Sequence, residues 1–246
     1  MAALQRESSS RAERSVVRIA EEDPGLLGPL TGELADAARH QLVARTQWRD
    51  PGRWPPLRVD VPRAFDGWLG FLVLDGLVVR QLTVGGLRCC ELLGPGDILR
   101  PWDEDELATL DSEAAWRVLE PTRIAFLDAG FARRASRWPS LQAELMHRSV
   151  RRSHSLSVLL AVTQARRAEV RLRILFWHLA DRWGRVTPDG VVLPLRLTHS
   201  VIAQLTGLRR PSVSLTLGEL ERSGEIVRLS KCSWQLRPRA TAERAA

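Results

Sequence analysis

Arg209-Arg210-Pro211-Ser212-Val213-Ser214 places two guanidiniums and two hydroxyls within six consecutive residues. A guanidinium can bridge O6 and N7 of guanine or clamp a phosphate, and a serine hydroxyl can contact phosphate or a base edge. The chemistry on offer is recognition of a polyanion, and the competing reading for each side chain is a solvated face. Lys231 is the single lysine among 36 basic residues. It stands in Ser230-Lys231-Cys232, between two β-prone runs, where an ammonium at a turn reaches backbone phosphate.

These residues need a frame, and Leu197 to Val227 supplies one. Thr198 can cap a short helix whose Ile202 and Leu205 face inward, with the small Ala203 between them for a close crossing. Gly207 can take the positive φ that ends that helix, and Pro211 suits the first turn of the next, which buries Val213, Leu217 and Leu220. The spacing of Ala203, Gly207 and Val213 is that of a helix-turn-helix. Such a pair sets the start of its second helix in the major groove of DNA. Glu225–Leu229 and Ser233–Leu236 then form a wing.

Charge divides along the same line. The chain has 246 residues and net charge +7, but residues 1–130 carry 15 basic and 21 acidic side chains, and residues 131–246 carry 21 and 8. A basic module that meets a polyanion follows an acidic module with another task. With 44% hydrophobic and 26% charged residues, the chain is expected to fold around two modest cores. Three cysteines, Cys89, Cys90 and Cys232, are too few for a disulfide scaffold and show no C-x-x-C pair for zinc. There is no membrane-length apolar run or signal-like start, so a cytoplasmic location is expected.

Residues 1–25 read as a flexible lead, and Leu26 to Val43 as a short helix with Thr31 at its cap. From Gly67 the pattern is short β-runs, with Asp75-Gly76 read as a hairpin, Gly85-Gly86 as a second turn and Gly94 to Asp97 as a third. Trp116 to Asp128 reads as two strands around Pro121. Ser136 to about Gln164 predicts one long helix, either a rigid connector or a dimer seam, its apolar stripe broken from Arg148 to His154. Ala165 to Trp183 predicts another helix, and Val186 to Pro194 a hairpin tipped by Asp189-Gly190. The expected class is α+β. Its parts are a flexible segment at 1–25, a jelly-roll-like antiparallel β-roll at 26–135, a dimerisation helix at 136–164 and a winged helix-turn-helix at 165–240.

That order resembles the CRP/FNR family of bacterial transcription regulators, through Phe71 to Gly76, the Leu93 to Asp97 turn and the run from Leu197 to Gly224. The resemblance covers about residues 65–237. It implies a homodimer on a roughly palindromic DNA site, with RNA polymerase as a further partner if the protein activates. It also implies phosphate contacts by Thr198, Ser200, Arg209 and Ser212 and a guanine contact by Arg210. Ser214 and Lys231 complete the expected DNA-binding set. Leu215 replaces a family arginine and Pro211 the usual glutamate, so the preferred DNA sequence should differ from that of the cyclic-AMP-responsive members.

The effector site departs further. Arg100-Pro101-Trp102 stands where cyclic-nucleotide-binding members have Gly-Glu, and Ser112-Glu113 where they have Arg-Ser or Arg-Thr. Proline cannot bond ribose and Glu113 would repel a phosphate, so no cyclic AMP binding is expected, and any other effector is unknown. Asp103 to Glu106 reads as a solvated loop or, more sharply, a metal or arginine contact. Cys89 and Cys90, adjacent on a strand, should point to opposite faces, one of them into the core. His147 and His154 are read as solvated or interface-packed, with haem ligation as the sharper alternative. Trp48, Trp54, Trp68 and Trp102 are read as packing. No catalytic grouping emerges, so no enzyme activity is expected. The rivals are a sensor controlled by a different small molecule and a protein-interaction adaptor.

Overall fold

The computed structural model describes residues 15–28, 30–54, 66–102 and 112–237. Asp103 to Glu106 lie outside the described residues. The chain divides into two compact units, the first ending at Ser153 and the second running from His154 and including Arg88–Cys90.

The first unit is built on a seven-stranded antiparallel sheet. Its strands are β1 (Ser15–Arg18), β2 (Val43–Arg49), β3 (Gly52–Trp54), β4 (Gly70–Val84), β5 (Leu87–Leu93), β6 (Ile98–Leu99) and β7 (Ser112–Leu127). The order is β1-β2-β7-β4-β5, with β3 also on β7 and β6 also on β4. Trp54, Phe71, Val73, Val78, Trp116, Val118 and Ile124 fill one core, and Trp68 and Trp102 pack against it. The Phe71 ring lies 5.2 Å from both Trp102 and Phe126, edge to face. Trp54, Trp68 and Trp102 are thus packing residues.

Two expectations about the strands are corrected. Asp75-Gly76 is not a hairpin but an irregularity inside the continuous strand β4, with register shifts flanking Asp75 and Leu77. Gly76 has φ 89°, and a Cβ there would meet the Pro121 carbonyl oxygen at 2.3 Å. A bulge that presses backbone on backbone needs glycine as much as a tight turn does, so the dipeptide signals either. Opposite it, β7 runs through Pro121 as one strand. Register passes from Leu77↔Glu120 to Asp75↔Arg123, so the proline sits at the bulge, where a missing N–H breaks no ladder bond.

The N-terminal reading is also corrected where the structure describes it. Ser15–Arg18 pairs antiparallel with β2, and the helix α1 (Ile19–Glu22) buries Ile19 and Ala20. A 3₁₀ turn, Pro24–Leu27, buries Leu26 and Leu27. Short apolar runs between charges hid a real core segment. Helix α2 (Gly32–Gln41) buries Ala35 and Ala38, whereas Leu34 is exposed. Helix α3 (Ala129–Ala135) is capped by Asp128, whose Oδ1 accepts from the Phe131 N–H at 2.9 Å.

The helix α4 (Pro139–Gln164) begins in the first unit and ends in the second. The break in its apolar stripe has a cause. Arg148 is buried and makes ion pairs with Asp23, from the N-terminal segment, and with Glu144 Oε1 at 2.9 Å. Arg152, one turn on, pairs with buried Glu91 at 2.5 Å.

The second unit holds the end of α4, then α5 (Ala168–Trp183), β8 (Arg185–Thr187), β9 (Gly190–Leu193), α6 (His199–Thr206), α7 (Arg210–Arg222), β10 (Ile226–Ser230) and β11 (Ser233–Leu236). The four strands order as β10-β11-β9-β8. Leu172, Leu175, Phe176, Val201, Ile202, Val213, Leu217 and Trp234 are all buried, and the Phe176 and Trp234 rings lie 5.1 Å apart. Among the described residues no helix is long and apolar enough to cross a membrane.

Candidate nucleic-acid interface

Helices α6 and α7 are set by their termini. Thr198 caps α6, its Oγ1 accepting from the Val201 N–H at 3.2 Å. Gly207 ends it at φ 68°, in the left-handed region. A residue with a side chain would be strained there. Arg209 is the N-cap of α7, and Pro211 lies in its first turn. Val213, Thr216, Leu217 and Leu220 are the buried face of α7, so the opposite face is left to solvent.

On that open side the expected contacts separate into groups. Arg209 and Arg210 are exposed at the start of α7, where unpaired N–H groups and the helix dipole add to their positive charge. Ser214 is exposed one turn further along, and Ser212 is half-buried. Thr198 and Ser200 are exposed at the start of α6. Lys231 is exposed in the turn between β10 and β11. The Ser230 and Ser233 hydroxyls, 2.8 Å apart, close that turn.

Two features escape sequence reasoning. Ser214 is already engaged: its Oγ lies 2.8 Å from His199 Nδ1 and donates to the Arg210 carbonyl at 3.2 Å. His199 carried a signal only in its place directly after the N-cap threonine. Arg228, on β10, lies 5.2 Å over the Trp234 ring and donates to the Ser230 carbonyl. A second set of contacts stiffens the domain, for Glu225 holds the Arg173 guanidinium at 2.8 and 3.3 Å.

The first unit carries a cavity of about 660 Å³ whose lining includes Arg80, Arg100, Arg152, Trp116, Gln142 and Met146. Arg80 and Arg152 both reach Glu91, and Arg100 donates to the Trp68 carbonyl at 2.9 Å. Trp116 Nε1 is buried without a hydrogen-bond partner among the described residues. Ser112 and Glu113 are exposed at the start of β7 and do not line this cavity. Glu113 is therefore not the group that sets its charge.

The remaining candidates fall apart. Cys89 is exposed and Cys90 buried, as strand alternation requires, and Cys232 is exposed in the wing turn. His147 and His154 are both exposed, with His147 Nδ1 3.6 Å from Glu144. Among the described residues no three metal-ligating side chains come together.

Comparison with known proteins adds to this geometry. Residues 170–237 match the Crp-like helix-turn-helix domain. A curated relative, the regulatory protein CysR of Synechococcus elongatus, is 37% identical over 149 residues, covering 58% of this chain and 64% of CysR. A CooA variant from Carboxydothermus hydrogenoformans superposes with TM-score 0.62 at 18% identity, covering 93% of this chain and 95% of CooA. A cyclic nucleotide-binding domain containing protein from Listeria monocytogenes superposes with TM-score 0.58 at 16% identity, covering 77% and 87% of the two chains. The two superpositions establish likeness of fold.

Proposed function

We propose that the chain, whose residues 170–237 match the Crp-like helix-turn-helix domain, is a cytoplasmic, homodimeric transcription regulator of the CRP/FNR type that binds duplex DNA through α6, α7 and the β10–β11 wing. The observation that carries this reading is the basic, exposed start of α7 beside a buried helix-turn-helix core. Arg210 is its base reader. Arg209, Thr198, Ser200, Ser212 and Lys231 hold phosphate, and Ser214, braced by His199, completes the surface.

Dimerisation is supported by α4. Met146, Val150, Leu156 and Leu160 are 67%, 58%, 41% and 64% exposed, which is costly for a single helix in water. Positions 146, 150, 153, 157 and 160 follow the alternating four- and three-residue spacing of a helix-pair seam, although Ser153 and Ser157 interrupt it. A two-fold dimer presents two recognition helices to a palindromic site. Selection of bound duplexes from a random DNA library tests the proposal. A palindromic consensus with steep salt dependence is expected, and no enrichment over input would overturn it.

The cavity favours a second reading, in which a small molecule other than cyclic AMP governs DNA affinity. Three guanidiniums among apolar walls fit an anionic ligand with an apolar body, for which Arg80 and Arg152 would share their charge with Glu91. Calorimetry should show no heat with cyclic AMP, and a ligand of this class should raise the affinity for DNA.

A further inference from the structure

We infer that Arg171 positions the recognition helix: it joins the end of α4 to the turn of the helix-turn-helix, and thereby sets which DNA sequence and half-site spacing the dimer accepts. The inference rests on the DNA-binding, dimeric reading above. Arg171 makes no DNA contact in it and acts through other groups.

The Arg171 side chain spans two helix ends inside the second unit. Its Nε donates to the Ala165 carbonyl at 2.6 Å, just past the last residue of α4. Its Nη1 donates to the Thr206 carbonyl at 3.0 Å, on the last residue of α6. Helix C-termini leave carbonyls unpaired and carry partial negative charge, so one cation satisfying two of them is doubly favourable. The next residue after Thr206 is Gly207, the turn glycine. A Cβ on it would lie 3.7 Å from Arg171 Nη1 and 3.8 Å from Thr163 Cγ2, on the last turn of α4. The turn that aims α7 is thus seated against Arg171 and α4 together.

The consequence is geometric. Helix α4 carries the proposed dimer seam, and α7 carries the proposed base contacts. Between the seam and the turn, the guanidinium is a planar fork with donors at fixed angles, which an ammonium cannot reproduce at both carbonyls. Removing it leaves Arg209, Arg210 and Lys231 on the surface and the overall charge close to the wild-type +7, so attraction to phosphate persists. What disappears is the fixed angle between the dimer helix and the reading helix. A reader that swings loses discrimination before it loses non-specific affinity.

The test compares Arg171→Gln and Arg171→Lys with the wild type. The probes are a duplex selected by the wild-type protein from a random library and a shuffled duplex of the same length. R171Q is expected to bind the selected duplex at least tenfold more weakly, to bind the shuffled duplex within twofold of wild type, and to accept a wider range of half-site spacings on reselection. R171K, able to satisfy one carbonyl, should fall between the two. If R171Q does not fold, R171K carries the same comparison. The inference is overturned if either folded variant keeps the wild-type ratio of selected to shuffled affinity, or weakens on both duplexes equally, as simple destabilisation would. If the wild type selects no duplex, it is the DNA-binding reading that falls.

Discussion

The first residue of α6, His199, holds Ser214 of α7 through a single side-chain hydrogen bond, Nδ1 to Oγ at 2.8 Å. Ser214 has one hydroxyl proton, and the Arg210 carbonyl takes it at 3.2 Å. In that arrangement the imidazole nitrogen is the donor. The exposed serine read in the sequence as a DNA contact thus also braces the two helices, at the base of the turn that displays Arg210.

If Ser214 acts through His199, removing either should do the same damage. An exposed hydrogen bond of this kind contributes about 0.5–1 kcal/mol, or at most about fivefold in DNA affinity. Ser214→Ala and His199→Ala should each weaken binding by that order, and the double variant should be no worse than the poorer single one. A double-mutant cycle on a selected duplex measures this. Additive losses would make them independent contacts.

Arg210 and Lys231 should fail in different ways. Arg210→Ala should cost about 1–3 kcal/mol on the preferred duplex and relax the preference at one base pair of each half-site. Lys231→Ala should weaken all duplexes alike and reduce the slope of log affinity against log salt by about 0.9 for each phosphate it no longer neutralises. Titrations at several salt concentrations against matched and substituted duplexes separate the two. The assignment is wrong if Arg210→Ala alters only the salt slope.

The helix-turn-helix was legible because each of its rules is local. Thr198, Gly207 and Pro211 mark helix ends through backbone preferences, and Val213, Leu217 and Leu220 mark the buried face by spacing. The β-domain was legible in class but not in connection. Asp75-Gly76 obeys the same local rule as a hairpin, and only the long-range approach of Pro121 distinguishes the bulge. Ile19 escaped notice, and Leu26 and Leu27 were read into the helix that begins only at Gly32, because the contacts that bury them come from segments distant in sequence. The bracing by His199, and the hold of Arg148 on Asp23, are pairings at separations of 15 and 125 residues that no pattern encodes.

That Arg148–Asp23 pair predicts the stability of the first unit. The Arg148 side chain is 8% exposed, and burial, which opposes its charge, is outweighed by Asp23 and Glu144. Asp23→Ala leaves the guanidinium short of a partner and should destabilise by about 3–5 kcal/mol. Arg148→Met should cost less, because it removes the buried charge. Burial also pushes the Glu144 carboxyl upward, yet Arg148, Arg151 and His147 hold it below its ordinary 4.5. A depressed carboxylate stabilises fully above that value and loses its contribution as pH falls through the lower folded value. Denaturant unfolding of the variants, read for the first unit, should place Asp23→Ala as the weaker protein. The reverse order would refute the pairing as the source of stability.

The second unit should lose stability at a higher pH, through His178. Burial pushes its imidazole below the ordinary 6.5. His154 and Arg182 add to that shift, and Asp181 opposes it. Its Nε2 lies 2.8 Å from Ser155 Oγ, so the ring ties α5 to the end of α4. A histidine whose folded value is depressed is protonated first in the unfolded chain. The unfolded state therefore gains protons as pH falls below about 6.5, and stability falls with it until the folded ring titrates as well. His178→Gln keeps a hydrogen-bonding group toward Ser155 and removes the titration, so its stability should vary less between about pH 7.5 and pH 5.5 than that of the wild type. Thermal unfolding across that range gives the comparison, followed by the fluorescence of Trp177, Trp183 and Trp234 in a full-length chain whose other tryptophans are replaced by phenylalanine. Parallel curves for the two proteins would show that His178 is not the sensitive group.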